Sequence, residues 1–253
     1  MDYTLYLLCF FAFLSGFIDS IVGGGGLVQI PAFFVLYPQL SVPNIISTNR
    51  LASAAGTSVA AWNYSRVVDI PWKTVFFAGI SASVFSFLGA NVQSMLPSEV
   101  LKPIILVLII AIAIHTYRKK ELGQREEFRV QQKYLPYWSA AIGAALGFYN
   151  GFVGPGTGSL LVFAFVSVIG YSFLHASGIS KVVNVIADVS SLVFFLLNKH
   201  VLFHLALPML VCNVTGSYFG SRMAVLRGNA FIRKVFLVVV AGIVARFAYD
   251  VFF

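Results

Sequence analysis

Four consecutive glycines, Gly23, Gly24, Gly25 and Gly26, interrupt an apolar run at GFIDSIVGGGGLVQIP (16–31). A second interruption, GFYNGFVGPGTGSLLV (147–162), carries Gly154, Gly156, Thr157 and Gly158 around a proline. In a membrane-length apolar segment such breaks free backbone N–H and C=O groups that lipid cannot satisfy, so they must face protein or a wet cavity. A helix restarting after each break, at Leu27 and at Ser159, presents unpaired N–H groups and the positive end of its dipole, an arrangement suited to an oxyanion. Glycine also lets a ligand reach the main chain, because no Cβ intervenes. The competing use of such glycines is close helix crossing, as expected of Gly143, Gly147 and Gly151 at four-residue spacing. A nucleotide loop is disfavoured: GGGGLVQIP lacks the Gly-Lys-Ser/Thr ending, and GPGTGS has no strand-turn-helix setting.

Arg50 and Lys181 each stand a few residues inside an apolar segment, where a cation needs an anionic partner, a wet cavity or a route by which its long stem reaches the interface. Occurring as a related pair, each beside a broken helix, they are candidates for drawing in an anionic substrate. Asn49 and Asn184 adjoin them and can donate hydrogen bonds to its oxygens; Ser47, Thr48, Asn150 and Ser180 can do the same or bridge helices. Asp19 and Asp188 are the acids expected deep in the membrane. They are candidates for proton coupling, or for fixed pairs such as Asp19 with Lys181 and Asp188 with Arg50. The histidines His115, His175, His200 and His204 lack ligand spacing, so no metal site is expected. Cys9 and Cys212 stand apart in apolar segments with no disulfide framework. No nucleophile, base and orienting group can be assembled from the spacing, which argues against an enzyme and gives no reason to invoke a cofactor.

The elements that position these residues follow from composition. The chain has 253 residues, 59% hydrophobic and 10% charged, against about 25% charged in soluble domains, and its mean hydropathy is +0.88. It reads as an all-α integral membrane protein. The net charge of +8 resides between apolar segments, where it orients the chain in the bilayer and does not imply nucleic acid. Ten segments are expected, at 3–22, 26–37, 44–63, 72–95, 100–117, 136–153, 158–170, 174–197, 203–224 and 230–250. The second and seventh, at about 12 residues and 1.5 Å per residue, cover about half of a roughly 30 Å hydrocarbon core. Each therefore joins its predecessor in a re-entrant hairpin or a bent pair.

A shift of 131 positions superposes Gly16 on Gly147, Gly23 on Gly154, Gly25 on Gly156, Arg50 on Lys181, Ser86 on Ser217 and Gly89 on Gly220 without a gap. The chain is thus a duplication: residues 1–117 form a first membrane repeat and 136–253 a second, joined by a basic linker at 118–135. Arg118, Lys119, Lys120, Arg125, Arg129 and Lys133 place that linker in the cytoplasm. Corresponding loops then fall on opposite faces, as an odd number of crossings per half requires. The expected fold is two inverted-topology repeats of about five helical segments each, with both termini on the non-cytoplasmic side.

GFIDSIVGGGGLVQIP followed by ISTNRLASAAGT (46–57), and GFYNGFVGPGTGSLL followed by ASGISKVVN (176–184), resemble the paired signatures of the sulfite exporter TauE/SafE family over essentially the whole chain. The resemblance implies a secondary transporter moving a small sulfur-containing anion, such as sulfite, thiosulfate or an organosulfonate, across a cell inner membrane. An anion channel of the same architecture and a non-transporting membrane sensor or enzyme are the competing readings. The second half has Gly-Pro-Gly in place of four glycines, and Asn150 stands where the first half has Asp19, so the halves are not expected to work identically.

Overall fold

The structure, a computed structural model, describes residues 3–97, 99–100 and 126–252, without the side chains of residues 229, 233 and 236–252. Almost all of the fifth expected segment, His115 and the linker cations Arg118, Lys119, Lys120 and Arg125 lie outside the described residues. Among the described residues the regular elements are helical: α1 Tyr3–Val22, α2 Gly26–Leu36, α3 Val42–Ser65, α4 Trp72–Met95, α5 Leu135–Phe152, α6 Thr157–Ala164, α7 Phe173–Leu197 and α8 Phe203–Phe252. A π-helical turn, Phe165–Ile169, extends α6. Helix α8 leaves helical geometry at Gly228 (φ 66°, ψ −162°), between the two last expected segments.

Local chemistry sets these boundaries. Ser41 caps α3, its Oγ accepting from the Asn44 N–H at 3.4 Å with Pro43 in the first turn. Ser172 caps α7 in the same way, accepting from His175 N–H at 3.3 Å, and the two caps are 131 residues apart. A side-chain acceptor there satisfies one of the N–H groups that a helix start leaves unpaired.

Helices α1, α4 and α7 are long and apolar enough to cross a membrane. On α4, Phe76, Ile80, Val84 and Leu88 are exposed at four-residue steps, while Ala78, Ala82 and Ser86 are buried. Asp19, Arg50, Lys181 and Asp188 are all buried at the centre. An apolar exterior around a charged interior is the arrangement for lipid, since exposed apolar stripes of this kind cost free energy in water and buried charge needs protein partners.

At the first break the chain reverses. Gly23 adopts a left-handed conformation (φ 82°), as does Gly154 at the second (φ 89°), which side chains with a Cβ rarely take. Gly25 then packs against the Ser15 main chain, so α2 folds back along α1. In the second half the Tyr149 hydroxyl donates to the Pro155 carbonyl at 2.6 Å, closing the equivalent turn. Of the two expected forms, the breaks take the hairpin.

The tightest packing joins the halves to one another. A Cβ on Gly16 would strike the Asn213 main chain, and one on Gly216 or Gly220 the main chain of Phe13 or Phe17, so α1 and α8 run parallel in backbone contact. Gly143, Gly147 and Gly151 press α5 on Ala78, Ala82 and Ser86 of α4 in the same manner. Helix α3 joins the first pair through Asn63 Nδ2, which donates to Ser221 Oγ at 2.8 Å; α7 joins the second through Ser190 Oγ, which donates to the Ser83 carbonyl at 2.7 Å. The result is two three-helix groups, α1–α3–α8 and α4–α5–α7, each drawing on both halves. Between the groups α3 and α7 run antiparallel, Arg50 meeting Ser191 and Tyr64 lying beside Gly178. Along α3 the polar stretch Asn49–Ser53 lies between two apolar clusters, one holding Ile45, Ile46, Ile30 and Phe33 and the other Tyr64, Ile21, Leu161 and Phe165.

Candidate functional site

The two hairpin tips meet at the centre. Ser159 N–H donates to the Gly23 carbonyl at 2.7 Å, a Cβ on Gly158 would fall 2.6 Å from Gly23 Cα, and one on Gly26 would fall 3.0 Å from Pro155 Cα. Only glycine permits that approach. The Leu27 N–H is taken by the Gly24 carbonyl at 3.0 Å and that of Ser159 by Gly23, so the restarts at Leu27 and Ser159 do not present the unpaired N–H groups expected there. Gly26 and Gly158, in the first turns of α2 and α6, border a central cavity. Its volume is about 30 Å³, room for an ordered water. Of the residues expected at the site, Asn49, Arg50, Asn184, Asp19, Asp188, Gly23, Gly26, Gly154, Gly156, Thr157 and Gly158 border it, as does Asn150; Gly24, Gly25 and Lys181 do not, nor do Ser47, Thr48 and Ser180.

Arg50 is 3% exposed, so its head does not climb to an interface. Its Nη1 donates to Asn150 Oδ1 at 3.0 Å and to Ser191 Oγ, and its Nη2 donates to the Asn150 carbonyl at 2.6 Å. The guanidinium also lies 5.5 Å from the Phe195 ring centre, a favourable cation–π distance. Asn150 in turn donates to Asp188 Oδ1 at 3.0 Å and to Asn184 Oδ1 at 3.3 Å, and Asn184 donates to Asp188 Oδ2 at 2.9 Å. Lys181, 1% exposed, donates to the Asp19 carbonyl and lies 3.5 Å from Asp19 Oδ2. The Asp19 carboxylate further accepts from Gly25 N–H at 3.3 Å and from the Thr57 hydroxyl at 3.1 Å.

A reciprocal pattern results. Each cation binds the carbonyl of a last-turn residue on the other half, Arg50 that of Asn150 and Lys181 that of Asp19; both the cations and the carbonyls are 131 residues apart. Both carbonyls lie at the negative end of a helix dipole, which favours a buried cation, and that of Asp19 also accepts from the Gly23 N–H at 2.7 Å. Of the two anticipated ion pairs, Asp19 with Lys181 forms; Asp188 reaches Arg50 through Asn150.

The family model described as "Sulfite exporter TauE/SafE" matches residues 8–247. The chain belongs to the TauE/SafE family. It is 34% identical over 249 residues to the probable membrane transporter protein YfcA of Escherichia coli K12, covering 97% of this chain and 90% of the relative. It is 31% identical over 254 residues to the probable membrane transporter protein ORF9 of a Sinorhizobium species, covering 98% and 95%. A probable membrane transporter protein of Haemophilus influenzae is 29% identical over 250 residues. No solved structure matches the chain.

In this TauE/SafE chain, the sequence pointed to most of the cavity border and to Asn150 as a donor or helix bridge, but gave Thr57, Ser86 and Ser191 no role. The 131-residue register held a clue, because it aligns Asn150 with Asp19 and Thr57 with Asp188. Each half of the TauE/SafE core thus has one carboxyl, on the helix before the break in one and on the helix after the hairpin in the other. Asn49 Oδ1 is buried at the site without a partner among the described residues. Among the described residues no group of three His, Cys, Asp or Glu is placed to hold a metal ion.

A second cavity, of about 490 Å³, is bordered by Asp69, Lys73, Glu126, Gln132, Tyr171 and His175. Linker residues strap it to the π-helical turn: Glu127 N–H donates to the Gly170 carbonyl at 2.9 Å and Arg129 N–H to the Ile169 carbonyl at 3.0 Å. Burial raises the Tyr171 phenol above its ordinary range, Thr74 opposing through its hydrogen bond and Glu126 adding to the rise.

Proposed function

We propose that this protein is a secondary transporter for a small sulfur-containing anion (sulfite, thiosulfate or an organosulfonate), working by alternating access in the cell inner membrane with both termini on the non-cytoplasmic side. The observation that carries this reading is the meeting of two glycine hairpin tips beside buried Arg50 at one polar cavity. A buried guanidinium flanked by two helix starts, whose dipoles favour negative charge, suits an oxyanion. The family description supports the sulfur anion, and the names of the Escherichia coli and Sinorhizobium relatives support transport. The antiparallel course of α3 and α7, equivalent by register, supports two inverted repeats.

The moving parts are the groups α1–α3–α8 and α4–α5–α7 rather than the two sequence halves. Within the groups α1 on α8 and α4 on α5 pack backbone to backbone through glycine, and such close packing does not slide without loss. Contacts between the groups comprise the polar site, α3 against α7, a smaller contact of α7 on α8 around Phe195 and Ala206, and apolar clusters toward either end that can part alternately. An anion enters when the tips separate, since the cavity as it stands has room for about one water.

Counterflow of radiolabelled sulfite into proteoliposomes tests the function. A carrier shows saturable uptake, competition by thiosulfate or sulfoacetate, and loss of flux in Arg50→Gln. Flux that never saturates indicates a channel, and no flux above protein-free liposomes removes transport altogether.

A further inference from the structure

The two carboxyls at the site are held differently. Asp19 has the Lys181 ammonium at 3.5 Å, the Gly25 N–H and the Thr57 hydroxyl, so its negative charge is balanced where it stands. Asp188 accepts from two neutral amides, Asn150 and Asn184, and has no ion-pair partner among the described residues. It is nevertheless 5% exposed and borders the cavity. Facing it are Arg50 from α3 by way of Asn150, Asp19 from α1, and Lys181 from its own helix, while α4 and α5 supply only neutral Ser86 and Asn150. With every group ionised the centre holds two positive and two negative charges, Asp19 matched by Lys181 and Asp188 by Arg50 at one remove. An anion entering beside Arg50 leaves one negative charge in excess, in surroundings where like charges repel strongly.

We infer that Asp188 is the proton-binding residue of the transport cycle, and that the chain carries one monoanion together with one proton. This rests on the transport reading above. Protonating Asp188 removes the excess charge: Arg50 then faces the anion, Asp19 remains with Lys181, and the loaded centre is neutral. Proton and anion each improve the other's binding by the same factor. Because the neutral acid keeps acceptor oxygens, the Asn150 and Asn184 amides stay engaged, and the O–H gains a route to the anion. Asp19 takes no part in the proton cycle, since protonating it would leave Lys181 buried without a counter-charge.

The test uses purified full-length protein and sulfite binding followed by calorimetry across a pH range, wild type against Asp188→Asn. Sulfite's own ionisation is common to both proteins and cancels in the comparison. Wild-type affinity falls about tenfold more steeply per pH unit above the range where Asp188 titrates, the slope of one linked proton, and D188N lacks that extra slope while Asp19→Asn retains it. Equal slopes in wild type and D188N overturn the inference. A second measurement needs no variant: in wild-type proteoliposomes holding a pH dye, a sulfite gradient drives one proton per anion beyond the protein-free leak, without charge movement. Saturable sulfite flux that is electrogenic and moves no protons overturns the proton assignment while leaving the transport reading intact. Absence of saturable flux removes the transport reading itself.

Discussion

Asn150 joins more of the site than any charged residue does, accepting from Arg50 and Ser86 and donating to Asp188 and Asn184. Asn150→Ala leaves those buried groups short of partners and lowers stability by about 3 kcal/mol, to be read as a lower melting temperature in detergent. Arg50→Lys keeps the charge but not the planar fork that reaches Asn150 and Ser191 together. Sulfite flux then falls about tenfold or more, with less change in melting temperature, because a lysine cannot reproduce a bidentate geometry. Arg50, Lys181, Asp19 and Asp188 were legible in the sequence because charge inside an apolar segment stands out. Asn150 was not, because a neutral amide in a membrane helix bridges helices as readily as it builds a site, and only its partners tell the two apart. The pairing of Lys181 with Asp19 was among the expected ion pairs, but that it leaves Lys181 off the cavity border was out of reach, since spacing along a helix does not show which way a flexible stem will turn.

Helix limits followed the hydropathy and punctuation closely. The expected 3–22, 72–95 and 174–197 stand beside α1 Tyr3–Val22, α4 Trp72–Met95 and α7 Phe173–Leu197, since caps, prolines and glycines end helices by local chemistry. The partnership of α1 with α8 and α5 with α4 could not be read in this way: it depends on which small-residue stripe meets which, and one sequence carries many such stripes. Glycine substitutions separate packing from conformation. Gly151→Ala places a methyl against the Ser86 main chain and costs about 1–3 kcal/mol by forcing α5 off α4. Gly228→Ala meets no atom within 4 Å, yet its φ of 66° with ψ −162° is a combination essentially confined to glycine, so it costs about 1–3 kcal/mol through the backbone alone. Thermal unfolding of each variant against wild type checks both losses.

Across the whole molecule, the two-group arrangement predicts which covalent ties the transport cycle tolerates. Cys9 on α1 and Cys212 on α8 lie side by side within one group, and oxidising them to a disulfide leaves sulfite flux unchanged. A Cβ on Gly178 would stand 3.7 Å from Tyr64 Cβ, a spacing that accepts a disulfide, and this tie crosses between groups. In a chain with Cys9 and Cys212 replaced by alanine, Tyr64→Cys with Gly178→Cys stops flux on oxidation and regains it on reduction. Persistent flux in the oxidised double variant places the moving boundary elsewhere.

The duplication is unequal at its inner arms. Helix α2 runs eleven residues with Pro31 inside it, whereas α6 runs eight before passing into a five-residue π-helical turn held by the linker strap. On the alternating-access reading proposed above, the two doors of the carrier therefore hang on different hinges, and opening toward one compartment does not cost the same work as opening toward the other. Half-saturating concentrations must then differ between the compartments, with maximal rates differing in compensation. The gradients alone still decide which way the cargo accumulates, but the chain meets a rising supply sooner from one side.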